Sequence, residues 1–148
     1  MGERYYLDTS ALVKRYVEEP GSEVVDEVFM RAHAGEASIA LSYWNIGEAA
    51  VVFDKYERRT GLDATAVFHT MLRELRMLAR ARCAILVGVT PRILRESIIL
   101  VLKHHVYIAD ALQVTSAKRA KARKFLTGDE ELARVARAEG LETIYLPT

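Results

Sequence analysis

The chain has 148 residues, a size at which one domain can bury a continuous core without disulfides or a structural metal. Hydrophobic residues make up 51% and charged residues 28%, with only 3 prolines and 8 glycines, which excludes a disordered, collagen-like or low-complexity chain. A net charge of +1 removes any argument for a nucleic-acid partner from overall charge, so such a case must rest on local chemistry.

The single cysteine, Cys83, cannot form an internal disulfide, and its place at the edge of the run CAILVG predicts a small buried thiol. The N-terminus MGERYYLDTS carries no long apolar stretch, and no run approaches the ~20 residues that span a bilayer. These features predict a cytoplasmic protein without a membrane partner. Tyr6 stands where an N-myristoylation signal would need Ser or Thr.

Short β-type runs alternate with longer segments of helical period, which predicts one domain over residues 1–148 with a parallel sheet covered by helices on both faces. The first strand is Arg4 to Leu7. A helix that Ser22 could cap follows and ends near Gly35, before a second strand over Ala37 to Leu41. Two helices, Trp44 to Arg59 and Leu62 to Arg80, are separated by Gly61 as a stop signal. In the second of them Ala64, Val67, Phe68, Met71, Leu72, Leu75 and Leu78 recur at three- and four-residue spacing, a stripe that must face the core. The third strand, Ala84 to Val87, is bounded by Gly88 and Pro91. Helices over Arg92 to Lys103 and Ala109 to Ala122 lead to a strand at Lys124 to Leu126. A helix over Glu130 to Ala138, stopped by Gly140, precedes the last strand, Glu142 to Leu146.

In open parallel sheets, ligands bind beyond the carboxyl ends of the strands. That rule selects Asp8, directly after the first strand, and Asp129, after the fourth. Asp110 begins the segment ADALQVTSA, and Glu48 lies about one turn into the helix after the second strand. Each acid is near a helix N-terminus, where unpaired N–H groups and the dipole would stabilise a carboxylate without any ligand. Asp129, ahead of Glu130 and Glu131, is equally well read as a helix cap. Glu48 and Asp110 sit in the stretches NIGEAAVVF and IADALQV, apolar enough to predict largely buried helices, with no Lys or Arg in the immediate flanks. Buried acids need a counter-charge or a metal, and an all-oxygen donor set suits Mg²⁺ or Mn²⁺ rather than zinc. The histidines add nothing to this set: His33 and His69 read as isolated on helices, and His104 and His105 point in different directions.

The segments YYLDTSALVKRY, NIGEAAVVF, IADALQVTSA and FLTGDEELARVARAEGLETIYL resemble, in order, the four motif regions of PIN domains of the VapC toxin type, over about residues 4 to 146. The resemblance implies a three-layer α/β/α sandwich that clusters acids at one sheet edge, binds Mg²⁺ or Mn²⁺ and cuts RNA. Asp8, Glu48, Asp110 and Asp129 match its acidic quartet, Thr127 the hydroxyl residue beside the last acid, and Thr9 or Ser10 the hydroxyl pair after the first. Gly128 departs from the pattern, since many family members carry a basic or other side chain there. The resemblance also implies a toxin of a toxin-antitoxin pair, a homodimer and a small antitoxin partner. A stand-alone RNA-processing nuclease and a non-catalytic RNA-binding or scaffold protein on the same fold are the alternatives.

Hydrolysis of a phosphodiester needs an activated water and relief of charge on the phosphate, both of which an acid-bound divalent cation provides. Asp8 and Asp110 are assigned as main ligands, Asp129 as a ligand of that or a second ion, and Glu48 as a ligand or an orienter of water. Lys14 and Arg15, one to two turns after Asp8, are the first candidates for phosphate contacts. The basic run from Lys118 to Lys124 closes a helix and reads as a solvated helix end. An aspartyl phosphatase would need an acid where Ser10 stands, and a receiver domain would need one at the end of ILVGV.

Overall fold

The computed structural model describes residues 2–148. The elements run β1 (Arg4–Leu7), α1 (Thr9–Val13), α2 (Ser22–His33), β2 (Ser38–Ser42), α3 (Tyr43–Thr60), α4 (Ala64–Arg80), β3 (Ala84–Val87), α5 (Pro91–His104), α6 (Ile108–Arg119), β4 (Lys124–Thr127), α7 (Glu130–Ala138) and β5 (Glu142–Tyr145). All five strands are parallel, in the order β3-β2-β1-β4-β5. The order reverses at β1 and β4, so the crevice between their carboxyl ends is the topological switch point of the sheet.

Strand side chains alternate between two core layers, as a period of two requires. Tyr5, Leu7, Ile39, Leu41 and Leu126 pack with α1, α2, α3 and α4. Tyr6, Ala40 and Phe125 face the opposite way and pack with α5, α6 and α7. The result is the three-layer α/β/α sandwich, and the α4 stripe faces the core as expected, with Met71, Leu75 and Leu78 fully inside. No single helix among the described residues is long and apolar enough to cross a membrane.

Three local expectations change. Ser22 is the first residue of α2 rather than its cap: Gly21 occupies the cap position at φ +91° without a side-chain bond, and Ser22 Oγ instead accepts from the Glu19 N–H. Cys83 is half-buried against the core edge rather than inside it. The burial expected of both acid-bearing helices holds for α6, where Ala111 to Ala117 are all buried, but α3 buries only Asn45, Ala49 and Phe53 and leaves Val51 exposed. α6 is enclosed between the sheet and α5, whereas α3 lies on the outer layer and shows one face to solvent.

Candidate active site

β1 ends at Leu7, and the chain turns at once into α1, with Asp8 as its N-cap. The Asp8 carboxylate is 4% exposed and accepts on Oδ1 from the Ser10 hydroxyl (2.7 Å) and the Ala11 N–H (2.9 Å), and on Oδ2 from the Thr127 hydroxyl (2.5 Å). A carboxylate offers about four lone-pair directions, so these three donors leave roughly one free. Burial pushes the Asp8 carboxyl up to about 6, against the three donors that favour the anion, and the charge of Asp129 adds to the upward shift.

Asp129 is the exposed N-cap of α7 and accepts from the Leu132 N–H. Its own N–H donates to Thr127 Oγ1 (3.0 Å), and the next N–H back, on Gly128, donates to Ser10 Oγ (2.8 Å). Two hydroxyls thus lock the β4–α7 turn onto the β1–α1 turn. Thr127 is fully buried, so its hydroxyl sets the acids rather than meeting a substrate. A Cβ on Gly128 would come 3.0 Å from Thr148 Cγ2 and 3.4 Å from Ser10 Oγ, which accounts for a glycine at this place.

Glu48, half-buried and beyond the first turn of α3, is not a cap: its Oε1 accepts from Thr9 Oγ1 at 2.6 Å. Asp110 is half-buried in the first turn of α6, whose N-cap residue, Tyr107, supplies no side-chain bond. Burial raises the Asp110 carboxyl above the usual range, and the charges of Asp129, Glu48 and Glu131 push it the same way. Asp129 thus acts on both Asp8 and Asp110, and Glu48 on Asp110, with the four acids set at four separate elements of the fold. None of them forms an ion pair among the described residues.

The two basic candidates are occupied elsewhere. Lys14 is 3% exposed and pairs with Glu19 at 3.3 Å, although its stem passes close to Gly128. Arg15 donates to both oxygens of Glu74 (3.0 and 2.7 Å) and to Asp26 (3.0 Å), in a cluster that also holds the Tyr16 hydroxyl and His33. Its guanidinium ties the turn after α1 to α2 and α4. The histidines are less isolated than expected, since His33 contacts Glu74 and His104 contacts Glu139, both at 2.7 Å.

A family model described as PIN domain matches residues 5–138, which is most of the chain. The chain belongs to the PIN-domain family. That family membership places it among nucleases as a class.

Solved structures with this PIN fold are only distantly related in sequence. A protein from Pyrobaculum aerophilum aligns at 19% identity and TM-score 0.66, covering 97% of this chain and 92% of that one. A VapC toxin of Mycobacterium tuberculosis, described as cleaving the sarcin-ricin loop, aligns at 14% identity and TM-score 0.61, covering 97% of this chain and 99% of that one. A toxin-antitoxin complex from Klebsiella pneumoniae aligns at 15% identity and TM-score 0.60, with 95% of each chain covered. No curated protein matches the chain by sequence.

The quartet suits a hard divalent cation by charge and donor type: its donors are all carboxylate oxygens, and none is paired with a Lys, Arg or His among the described residues. It is not a preformed cage, because no three acidic or histidine side chains among the described residues converge to hold an ion. A bound cation would draw together carboxylates that now repel one another.

Proposed function

We propose that this PIN domain, over its whole length, is a Mg²⁺- or Mn²⁺-dependent endoribonuclease and the toxin of a toxin-antitoxin pair. The observation that carries the catalytic part is the set Asp8, Glu48, Asp110 and Asp129, none of them in an ion pair among the described residues, with Asp8 and Asp129 flanking the switch point of the sheet and with Asp8 and Asp110 held above their ordinary pKa. The RNA substrate and the antitoxin partner are supported by the fold shared with an RNA-cleaving toxin and with a toxin-antitoxin complex.

Asp8, Asp110 and Asp129 would hold the cation, and Glu48 would hold it or orient the attacking water. When bound, the cation lowers the pKa of water and offsets charge on the scissile phosphate. The chain's own contribution is positional. Thr127 and Ser10 fix the Asp8 carboxylate, with one lone-pair direction left for a ligand, and Thr9 fixes one oxygen of Glu48. Lys14 stands nearest the site among the basic candidates, and release from Glu19 would free its ammonium for a phosphate.

A homodimer fits the exposed apolar side chains. Tyr43, Trp44 and Val51 are exposed on α3, and Ile98 (49% exposed), Ile99 (64%) and Leu102 (72%) on α5. Large apolar side chains exposed together on one helix of a small domain mark an association surface. The functional test is incubation of a labelled RNA with the protein in Mn²⁺ and in EDTA. Cleavage confined to the Mn²⁺ arm is expected, and cleavage in both arms would reject the metal-dependent reading.

A further inference from the structure

Beneath the acids runs a closed chain of buried polar groups. The Tyr6 hydroxyl donates to Gln113 Oε1 (2.8 Å), Gln113 Nε2 donates to Asn45 Oδ1 (2.6 Å), and Asn45 Nδ2 donates to the Leu7 carbonyl (2.8 Å). Tyr6 and Asn45 are completely buried and Gln113 is 3% exposed. Burying two carboxamides and a phenol costs several kcal/mol unless each finds partners, so apolar residues at these positions would pack more cheaply. Burial also raises the Tyr6 phenol far above its ordinary range, which keeps it a hydrogen-bond donor.

The placement of the three residues is what points to a role. Asn45 lies one helical turn before Glu48 on α3, and Gln113 one turn after Asp110 on α6, so in each helix the amide and the acid share a face. Tyr6 lies two residues before Asp8, and the carbonyl that receives the chain's last bond belongs to Leu7, the residue joined to Asp8. β1, which leads directly into Asp8, and α3 and α6, which carry Glu48 and Asp110, are thus tied directly to one another through buried side chains. The stack of Tyr6 on Phe125 (5.4 Å between centroids, 11° apart) extends the tie to β4, which leads to Asp129.

The like charges above this chain drive their carriers apart. We propose that Tyr6, Asn45 and Gln113 are positioning residues that hold β1, α3 and α6 in register against that repulsion, and so set metal affinity and turnover without touching substrate. This rests on the metal-nuclease reading above. The bonds are directional and both amides are used at both ends, so the chain fixes distance and rotation where apolar packing would allow sliding.

The test compares Tyr6→Phe, which removes one hydroxyl, and Gln113→Met, which keeps length but removes two bonds, with Val28→Ala, a core truncation in the opposite layer. Mn²⁺ affinity is read by titration with electron paramagnetic resonance of the free ion, and backbone hydrogen exchange is read on the metal-free proteins. Outer-shell changes at metal sites cost about 10- to 100-fold in affinity. That loss is expected for Gln113→Met, a smaller one for Tyr6→Phe, and none for Val28→Ala. In the metal-free proteins, exchange should quicken selectively at residues 45–49 and 110–114 in the first two variants. If wild type binds no Mn²⁺, the nuclease reading fails, and the exchange arm still decides whether the chain holds the acid-bearing turns. Uniform loss of protection, with wild-type Mn²⁺ affinity wherever the wild type binds the ion, would overturn the proposal.

Discussion

Thr127 and Asp8, 119 residues apart, are joined by a 2.5 Å bond from the threonine hydroxyl to Asp8 Oδ2, and the same oxygen of Thr127 accepts the Asp129 N–H. One buried hydroxyl therefore sets two acids from different strands. Thr127→Val keeps the shape and removes both functions. Hydrogen bonds to charged groups contribute about 1.5–3 kcal/mol, so a stability loss of that size is expected in a urea titration at pH 7. An unchanged midpoint would mean that the bond contributes nothing in solution.

The raised Asp8 carboxyl makes metal-free stability depend on pH. Its folded value of about 6 lies above the ~3.9 of an unfolded chain, so the folded state holds the proton more tightly. The favourable contribution is complete below about pH 4 and is lost as pH rises to about 6, by at most about 3 kcal/mol. Asp110, also raised, acts in the same direction. Glu139, held at about 2 by His104, Lys118 and Lys103 in spite of its burial, acts oppositely and lends stability above about pH 4 that disappears as pH falls through 2. Urea midpoints measured in EDTA should therefore fall between pH 4 and 6, with a shallower fall in Asp8→Asn. The Asp110→Asn protein without metal should melt at or above the wild-type temperature and gain little from Mn²⁺. Wild type should gain about 2.7 kcal/mol at a hundredfold excess over the dissociation constant.

Arg15 is expected to be structural. Its side chain is 20% exposed and that of Glu74 15%, so truncating the acid strands a half-enclosed guanidinium. Glu74→Ala should lower stability by about 1.5–3 kcal/mol while the cleavage rate per folded molecule stays at the wild-type level. A large rate loss at full folding would return Arg15 to the substrate path.

The apolar face of α5 predicts self-association. Light scattering at tens of micromolar should give a dimer for wild type and a monomer for Leu102→Glu, since Leu102 is 72% exposed and a charge there costs the free chain little. A wild-type monomer at that concentration would remove the dimer from the account.

The alternation of strand and helix was legible because period two and period 3.6 are distinct in runs such as SIALS and in the α4 stripe. The α1 helix, at five residues, is too short to show a period, and its start is set by the Asp8 cap. The acids could be found from position relative to strand ends, but their bonding to Thr9, Ser10 and Thr127 depends on how two turns meet across the sheet. The pairing of Arg15 was not legible, because spacing from Asp8 along the chain does not say which charges other helices bring to it, and Glu74 lies 59 residues away. The buried chain left a signal in part: Gln113 is an amide inside the apolar stretch IADALQVTSA and required a partner, whereas Asn45 lies beside the exposed Trp44, where the sequence does not show its burial.

The central claim, a carboxylate-held metal nuclease, is tested most directly by the cleavage rate of a labelled RNA in Mn²⁺ for wild type, Asp8→Asn and Asp110→Asn, each corrected for folded fraction and repeated in EDTA. Both variants should lose more than about a hundredfold, the upper end of what even an outer-shell change costs a metal site, and EDTA should silence wild type. Cleavage by either variant at the wild-type rate, or wild-type cleavage that survives EDTA, would contradict it.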